Sequence, residues 1–330
     1  MKNEGLAEKA LKILQKRSEI TLELAKKEIL KEELECKSAR DAFRYYVSKW
    51  KDTTRPGVFS MACEVVGGNL EESLPLQVSL SLIDAGLDIH DDIIDNSVSK
   101  NTESTVYGKF GKDTALLLGI AFLVKGFDNL CKAVENLPQK RKTAITEAAN
   151  NFLFEEIDAH IMEAELKSRK WDTKPNEYLH VLEKKAVDIE GRMRIGAIFG
   201  SGSSKEITAI GNYGRKLGIL LAVRSDFIDI FEPSELANRV RNECLPLPVL
   251  YSLQSSVHVK KVQRILLKEL IDESDVNELV ETIYHTAGLR HLRQYLNDLR
   301  EKAIMELDLF PRNEAKDELL LLISSMTEDL

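Results

Sequence analysis

The chain has 330 residues, of which 43% are hydrophobic and 30% are charged, and its net charge is -8. This length is enough for one large or two ordinary domains with a substantial core. The acidic balance argues against a general nucleic-acid-binding protein, which would need a basic face. The cysteines are scattered without CxxC spacing, which argues against a zinc site or a disulfide framework and indicates reduced thiols.

The sequence predicts a soluble, cytoplasmic protein without a transmembrane segment. Its longest apolar run, at about residues 115–124, is shorter than a helix that spans a bilayer. The N-terminal residues are charged and lack the apolar core of a signal peptide.

Helix formers dominate the chain, and apolar residues recur at intervals of three and four, which predicts amphipathic helices rather than strands. The predicted helices, in chain order, cover residues 6–33, 39–50, 55–67, 72–95, 112–134, 138–169, 175–200, 203–231, 243–255, 258–270, 274–308 and 312–327. Ser203 and Glu206 fit a capping box, and Pro233 should end the helix before it. No Pro/Gly/Ser-rich linker divides the chain, so we expect a single all-α domain over residues 1–330.

The most informative stretch is Asp91-Asp92-Ile93-Ile94-Asp95, which places three carboxylates on one helical face. Carboxylates this close repel one another unless cations lie among them. The residues around the stretch are apolar, so we expect its helix to be largely buried and its carboxylates to need partners. Mg²⁺ prefers oxygen ligands and often bridges to substrate phosphates. The stretch therefore predicts a Mg²⁺–diphosphate site.

A second acidic group, Ser225-Asp226-Phe227-Ile228-Asp229, also follows an apolar helical segment. Alone it would be unremarkable. Two acidic clusters that end two long apolar helices suggest carboxylates facing each other across the cavity of a helical bundle.

With these two clusters the chain resembles the trans-isoprenyl diphosphate synthases, which carry two DDxxD motifs on facing helices. Asp91–Asp95 matches the first motif in full. Other segments similar to family motifs are Arg55-Pro56, Lys100–Tyr107 with Gly111, Tyr178-Leu179 with Lys185, and Leu247–Tyr251. The resemblance runs from about residue 50 to residue 255 and implies a single-domain, all-α bundle of the isoprenoid synthase type with a central apolar cavity.

The resemblance implies a prenyltransferase that condenses an allylic diphosphate with isopentenyl diphosphate in a Mg²⁺-dependent, head-to-tail 1'-4 elongation. Asp91 and Asp95 would hold Mg²⁺ on the allylic diphosphate, and Asp92 would support them. Asp226 and Asp229 would hold the remaining metal. Lys185 would neutralise the leaving group, whose developing negative charge requires an electrostatic clamp.

Further roles concern the substrates and the product. Arg55, with Lys51, would bind isopentenyl diphosphate, because arginine suits bidentate phosphate contacts. Lys100 begins another substrate-binding stretch. The tunnel for the growing chain would be bounded by three residues upstream of the first motif, namely Ile83, Gly86 and Leu87. None is aromatic, so we expect an open floor and a product of about twenty carbons or longer. The family is commonly dimeric, and we expect a homodimer.

The chain also departs from the family pattern. Ser225 replaces the first aspartate of the second motif, so the metal there should bind more weakly. Cys244 replaces a diphosphate-binding lysine, for which Arg239 and Arg241 could substitute unless they are flexible surface residues. Further departures are Asp52, Thr53, Ala186 and Ala222. The alternatives are a catalytically weak subunit that needs a partner synthase, a class I terpene cyclase-like enzyme, and a purely structural bundle, which would leave Asp91–Asp95 unexplained.

Overall fold

The computed structural model describes residues 5–100 and 103–328, and Asn101 and Thr102 of the predicted substrate-binding stretch lie outside the described residues. The described chain is almost entirely helical, which confirms the all-α prediction. Its α-helices are α1 Leu6–Ile29, α2 Lys37–Lys49, α3 Thr54–Val65, α4 Leu70–Ile94, α5 Val106–Phe110, α6 Lys112–Val134, α7 Gln139–Ser168, α8 Pro175–Lys185, α9 Val187–Phe199, α10 Ser204–Phe231, α11 Pro233–Asn242, α12 Leu247–Leu253, α13 Val259–Leu266, α14 Glu273–Tyr284, α15 Ala287–Glu306 and α16 Glu314–Ser325. A short antiparallel hairpin pairs β1 Ser99–Lys100 with β2 Glu103–Ser104.

Most predicted helices are present, and α6 has the predicted bounds. The capping box before α10 is confirmed, since the Ser203 N–H donates to Glu206 Oε2 at 2.7 Å and the Glu206 N–H donates to Ser203 Oγ at 3.3 Å. Pro233 ends α10 as predicted, but it also begins α11, a helix that the sequence did not predict. Proline is well suited to the first position of a helix, because the N–H group that proline lacks has no acceptor within the helix at that position.

Two predicted helices are wrong as single elements. The segment 175–200 consists of α8 and α9, with Ala186 between them, and the segment 274–308 consists of α14 and α15. The second break has a visible cause: Thr286 caps α15 with its hydroxyl oxygen, which accepts from the Leu289 N–H at 3.3 Å. The predicted helix 243–255 begins only at Leu247.

The chain forms two compact units, which we describe separately. The first comprises residues 1–149, 192–208 and 310–319, and the second comprises residues 150–191, 209–309 and 320–330. A single domain over the whole chain stays a prediction.

The core of the first unit is formed by apolar faces of α1, α2, α4, α5 and α6. Aromatic side chains gather around Phe122 of α6: the ring of Phe43 stacks on it at 5.6 Å, and Tyr46 and Trp50 meet its ring edge-on at 5.0 and 5.9 Å. Such arrangements stabilise the packing beyond the buried area alone. They anchor α2 against the helix that supports α4.

Helices α4 and α6 pack very closely because glycines lie at their crossing. A Cβ atom added to Gly86 would lie 2.8 Å from the Gly119 carbonyl oxygen, and one added to Gly126 would lie 2.6 Å from Cγ1 of Ile83. Only glycine allows backbones to approach this closely. The first acidic cluster, at the end of α4, is therefore carried by a rigid support.

In the second unit, α12 is the central helix and packs against α8, α13, α14 and α15. Its residues Leu247, Val249 and Leu250 are almost completely buried. A Cβ atom on Gly288 of α15 would lie 2.7 Å from the ring of Tyr251, so this helix pair is also close. This packing fixes the backbone at the start of α12, next to the second acidic cluster.

Within the described residues one helix, Lys112–Val134, is long and apolar enough to cross a membrane by length and composition. Its most apolar window has a mean hydropathy of 1.5, and 33% of that window is buried. Lys125 on this helix pairs with Glu28 and Glu32 of α1 at 3.1 and 2.7 Å. A single helix of this kind is weak evidence for a membrane span, because the core helices of soluble proteins pass the same test.

Candidate active site

The first acidic cluster, Asp91–Asp95, forms the last turn of α4 and its C-cap. The chain then turns at Asn96, which has a φ of 51°, a conformation that asparagine tolerates better than most residues. The C-terminal end of a helix carries partial negative charge from its unsatisfied carbonyl groups. Three carboxylates at this end repel one another and are also repelled by the negative end of the helix dipole. The turn should therefore bind cations strongly.

The cluster is the end of a longer acidic stripe on α4, which consists of Asp84, Asp88 and Asp91–Asp95. Cationic side chains contact this stripe at successive helical turns. The guanidinium of Arg192 pairs with Asp84, with Nε 3.2 Å from Oδ2. One turn further on, Arg55 holds both carboxylate oxygens of Asp88 at 2.9 Å. These pairs differ in exposure, because the first is almost completely buried while Asp88 is 40% exposed.

At the third turn of the stripe, the hairpin brings Lys100 to the cluster, with its Nζ 2.7 Å from Asp92 Oδ1. The hydroxyl of Tyr45 donates to the Ser104 carbonyl oxygen at 2.5 Å and so ties the hairpin to α2. Burial raises the pKa of Asp92, Lys100 lowers it, and the neighbouring charges of Asp91 and Asp88 raise it further. The raised pKa of Asp92 reflects a desolvated carboxylate crowded by like charge.

Two carboxylates of the cluster, those of Asp91 and Asp95, lie on successive turns at the partly exposed end of α4. Among the residues that the structure describes, no group of three or more His, Cys, Asp or Glu side chains is arranged to hold a metal ion alone. Mg²⁺ does not need such a cage, since it commonly binds one or two carboxylates together with waters and substrate phosphates. The donor set and the crowded charge at Asp91–Asp95 therefore fit Mg²⁺ bound jointly with a diphosphate.

Arg55 lies at the start of α3 and is oriented by Asp52, a residue that departs from the family pattern. Asp52 Oδ1 accepts from the N–H groups of Thr54 and Arg55 at 3.1 and 3.3 Å, and its Oδ2 lies 3.1 Å from Arg55 Nη1. Asp52 thus satisfies N–H groups of the first turn of α3, as helix-capping residues do, and holds the guanidinium. The nearby Lys51 side chain is exposed to solvent.

The second acidic cluster lies in the last turns of α10, where Asp226 is 2% exposed. Its Oδ1 accepts from Arg239 Nη2 at 2.5 Å and from the Tyr178 hydroxyl at 3.3 Å, and its Oδ2 accepts from the Leu247 N–H at 2.7 Å. Burial raises the pKa of Asp229 to about 6, against the lowering effect of Arg239. Both carboxylates are therefore largely withdrawn from water.

Arg239 corrects one sequence interpretation. Its side chain is only 12% exposed, so it is not a flexible surface residue, whereas Arg241 is exposed. Ser225, which replaces the first aspartate of the motif, is also exposed. No local sequence pattern indicates the position of Arg239, because α11 was not predicted.

Lys185 ends α8 and pairs with Glu163 of α7, with Nζ 2.6 Å from Oε2. The neighbouring Cys244 thiol donates to the Glu163 carbonyl oxygen at 3.5 Å, so a thiol rather than an ammonium group lies beside this pair. Burial raises the pKa of Cys244 to about 12. The thiol is therefore protonated at neutral pH and adds no charge to the site.

The predicted tunnel residues lie at or beside the α4–α6 crossing. Gly86 and Ile83 are buried against Gly119 and Gly126 of α6, and Leu87 is half-buried. His90 also turns to α6, with Nε2 3.1 Å from the Leu116 carbonyl oxygen. The role of Ile83, Gly86 and Leu87 in setting product length stays a prediction.

An all-α protein in which a long helix ends in clustered carboxylates, with basic side chains paired along it, carries the donor groups of a metal–diphosphate site. A family model described as polyprenyl synthetase matches residues 36–283. The geranylgeranyl diphosphate synthase of Methanosarcina mazei is 33% identical over 205 residues, which are 62% of this chain and 62% of that protein. A short chain isoprenyl diphosphate synthase of Methanothermobacter thermautotrophicus is 22% identical over 286 residues, or 83% of this chain and 85% of that protein.

Solved structures agree on the fold. A geranylgeranyl pyrophosphate synthetase from Pyrococcus horikoshii has a TM-score of 0.84 at 22% identity and covers 97% of this chain and 98% of its own. One from Geoglobus acetivorans has a TM-score of 0.82 at 19% identity and covers 96% of this chain and 99% of its own. The chain belongs to the polyprenyl synthetase family, because the family match spans well over half of its length. This confirms the resemblance inferred from the sequence motifs.

Proposed function

We propose that this protein is a trans-prenyltransferase that joins an allylic diphosphate to isopentenyl diphosphate, with a product of about twenty carbons or longer. The observation that carries the proposal is the acidic stripe of α4, where Asp91 and Asp95 end the helix, Lys100 contacts Asp92 between them, and Arg55 contacts Asp88 one turn earlier. The alternation of carboxylates with cations along one helix suits a metal-bound diphosphate beside a second, directly bound diphosphate.

In the proposed reaction the C–O bond of the allylic diphosphate breaks, the alkene of isopentenyl diphosphate attacks the allylic carbon, and a proton is lost. Asp91 and Asp95 would hold Mg²⁺, which when bound neutralises the charge that develops on the departing diphosphate. Asp92 would stay paired with Lys100 and keep the end of α4 in place. Lys185 would supply a further positive charge for the leaving group.

Arg55 would bind the diphosphate of isopentenyl diphosphate, with Lys51 as an exposed second cation. In the structure Arg55 has both Nη atoms on Asp88, which is 40% exposed. An exposed ion pair contributes little stability, so a diphosphate can displace Asp88 at small cost. Asp52 would hold Arg55 in place during this exchange, which gives this departure from the family pattern a function.

We also propose a cytoplasmic homodimer. The α6 helix exposes an apolar stripe in which Leu117 and Val124 are 66% and 64% exposed and Leu116, Ile120 and Phe127 are each more than 40% exposed. A contiguous apolar face of this kind is typical of a protein–protein interface, and a second copy of the chain would cover it symmetrically. All four cysteines are free thiols, in keeping with a reducing compartment.

The dimer proposal is tested by sedimentation of the Leu117→Glu/Val124→Glu variant. We expect this variant to be a folded monomer. The control is Val257→Glu, which changes an exposed apolar residue outside α6 and should leave the dimer intact. A wild-type protein that sediments as a monomer at micromolar concentration contradicts the proposal.

The activity is tested by incubating the purified protein with Mg²⁺, labelled isopentenyl diphosphate and allylic primers of several lengths. Longer prenyl diphosphates support the proposal. Diphosphate release with a hydrocarbon product would instead indicate a cyclase, and product formed only after another synthase is added would indicate a subunit. Asp91→Ala and Asp95→Ala should abolish turnover while circular dichroism remains unchanged. Full activity of Asp91→Ala would contradict the metal assignment.

A further inference from the structure

We propose that Arg239 is a built-in cation that takes the place of a metal ion at the second acidic cluster, so that Asp226 and Asp229 bind no divalent metal. This inference depends on the proposed function only for its consequence, a lower metal requirement for turnover. The occupancy of the cluster itself can be measured without any reaction.

The first step of the argument is the engagement of Asp226. Three donors approach its two oxygens: Arg239 Nη2 at 2.5 Å and the Tyr178 hydroxyl at 3.3 Å on Oδ1, and the Leu247 N–H at 2.7 Å on Oδ2. Mg²⁺ demands near-octahedral oxygen ligands at about 2.0–2.1 Å. A metal ion on Oδ2 would compete with the hydrogen bond from the buried Leu247 N–H, and weakening the hydrogen bond of a buried donor is costly.

The second step is the position of the Arg239 guanidinium, which lies among carboxylates where a metal would otherwise be needed. Besides Asp226 it contacts Glu243, with Nη1 3.1 Å from Oε2, and its Nε lies 3.9 Å from Asp229 Oδ2. Nη2 also donates to the Tyr178 hydroxyl oxygen at 2.8 Å. A divalent ion on Asp229 would lie beside this positive charge and be repelled, and Ser225 can offer it only a neutral oxygen.

The third step is that Arg239 is held in this position. Helix α11 is anchored by Leu236, which is completely buried. Asn238 Nδ2 donates to Glu243 Oε1 at 2.6 Å, and Asn242 Nδ2 donates to Asn238 Oδ1 at 2.8 Å. The Glu243 carboxylate, which contacts Arg239 Nη1, is thus itself held in place by a residue of α11. Arg239 is a positioned cation, and displacing it would expose several buried polar groups.

The test uses Mn²⁺ as the metal probe, measured by the loss of the free-ion signal in electron paramagnetic resonance. The Asp91→Ala/Asp95→Ala protein, in which the first cluster is disabled, should bind no Mn²⁺. Adding Arg239→Gln, which removes the charge and keeps a hydrogen-bond donor, should create Mn²⁺ binding at least about tenfold stronger than any residual binding by this parent protein, as expected when a neighbouring positive charge is removed from a carboxylate. Arg239→Lys in the same background keeps the charge and should not create it.

Several results would overturn the inference. One is Mn²⁺ binding by Asp91→Ala/Asp95→Ala that disappears on Asp226→Asn or Asp229→Asn, because the cluster would then take metal with Arg239 in place. Another is a folded Arg239→Gln variant that gains no binding, because Arg239 would then not be what excludes the ion. If Arg239→Gln does not fold, the Asp91→Ala/Asp95→Ala protein, which keeps Arg239, still shows whether the second cluster binds metal with Arg239 in place. Absence of prenyl transfer by the wild-type chain would sink the proposed function but leave these measurements unaffected.

Discussion

Removing one partner of the buried ion pair between Asp84 and Arg192 should strongly destabilise the first unit. The side chains are 2% and 1% exposed, and they meet although 108 residues separate them in sequence. Removing one partner from such a pair leaves an uncompensated buried charge and typically costs about 3–5 kcal/mol. Arg192→Met should therefore lower the free energy of unfolding by about that amount, a large share of the roughly 5–15 kcal/mol of a typical protein.

The assay is urea denaturation followed by circular dichroism, with the two single variants and the double variant completing a mutant cycle. In Asp84→Leu/Arg192→Met no charge is left behind, so most of the loss should be recovered. Lys49→Met is the control in the same unit, because its pair with Glu103 is about half exposed on both sides, and it should cost less than about 1 kcal/mol. The reasoning would be refuted if Arg192→Met lowered the free energy of unfolding no more than this control does. It would also be refuted if the double variant lost as much unfolding free energy as the two single variants together.

Three further predictions concern Asp88, Asp229 and two of the cysteines. Asp88→Asn should release Arg55 from its pair and lower the KM for isopentenyl diphosphate severalfold, while an unchanged KM in steady-state assays would show that the pair does not compete with substrate. Asp229→Asn should stabilise the metal-free protein by about 1–3 kcal/mol at pH 8 and by almost nothing below pH 4. The sign follows because the folded-state pKa of Asp229, about 6, lies above its unfolded value, so stability is lost as pH rises between the two; equal unfolding curves at pH 8 would contradict it. Iodoacetamide at pH 8 should label Cys36, which is exposed and whose pKa is lowered by its hydrogen bond to Ser38, and should spare the buried Cys244, as peptide mass spectrometry would reveal.

The helical architecture was accessible from the sequence because apolar periodicity and helix-ending residues are local properties. Pro233 and the Ser203–Glu206 capping box marked boundaries correctly for this reason. The boundary at Ala186 has no such signal, since alanine is the best helix former and nothing near it resembles a cap. The start of α15 at Thr286 was hidden for a related reason, because threonine caps a helix only if the chain before it turns.

The candidate site was accessible only as far as its charges lie close together in sequence. Asp91–Asp95 could be recognised because three carboxylates fall within two helical turns. The cationic side chains that pair with the acidic stripe of α4 come from distant segments of the sequence. Arg55 is 33 residues from Asp88, and Arg192 is 108 residues from Asp84. Which basic residue meets which carboxylate depends on the packing of helices, and a single sequence does not encode that packing in any local pattern.

The two acidic clusters show why counting aspartates does not determine metal content. At Asp91–Asp95 the carboxylates lie at the partly exposed end of a helix, so they can take a cation from solvent together with a substrate. Asp226 is 2% exposed and has a guanidinium and a backbone N–H on its two oxygens. Since ligand exchange requires both access and free lone pairs, the same residue type is suited to bind a metal in the first setting and to act as a buried structural anion in the second. The charge of the nearest fixed side chain, here Arg239, decides between these outcomes, and for that reason the Arg239→Gln and Arg239→Lys variants separate charge from shape.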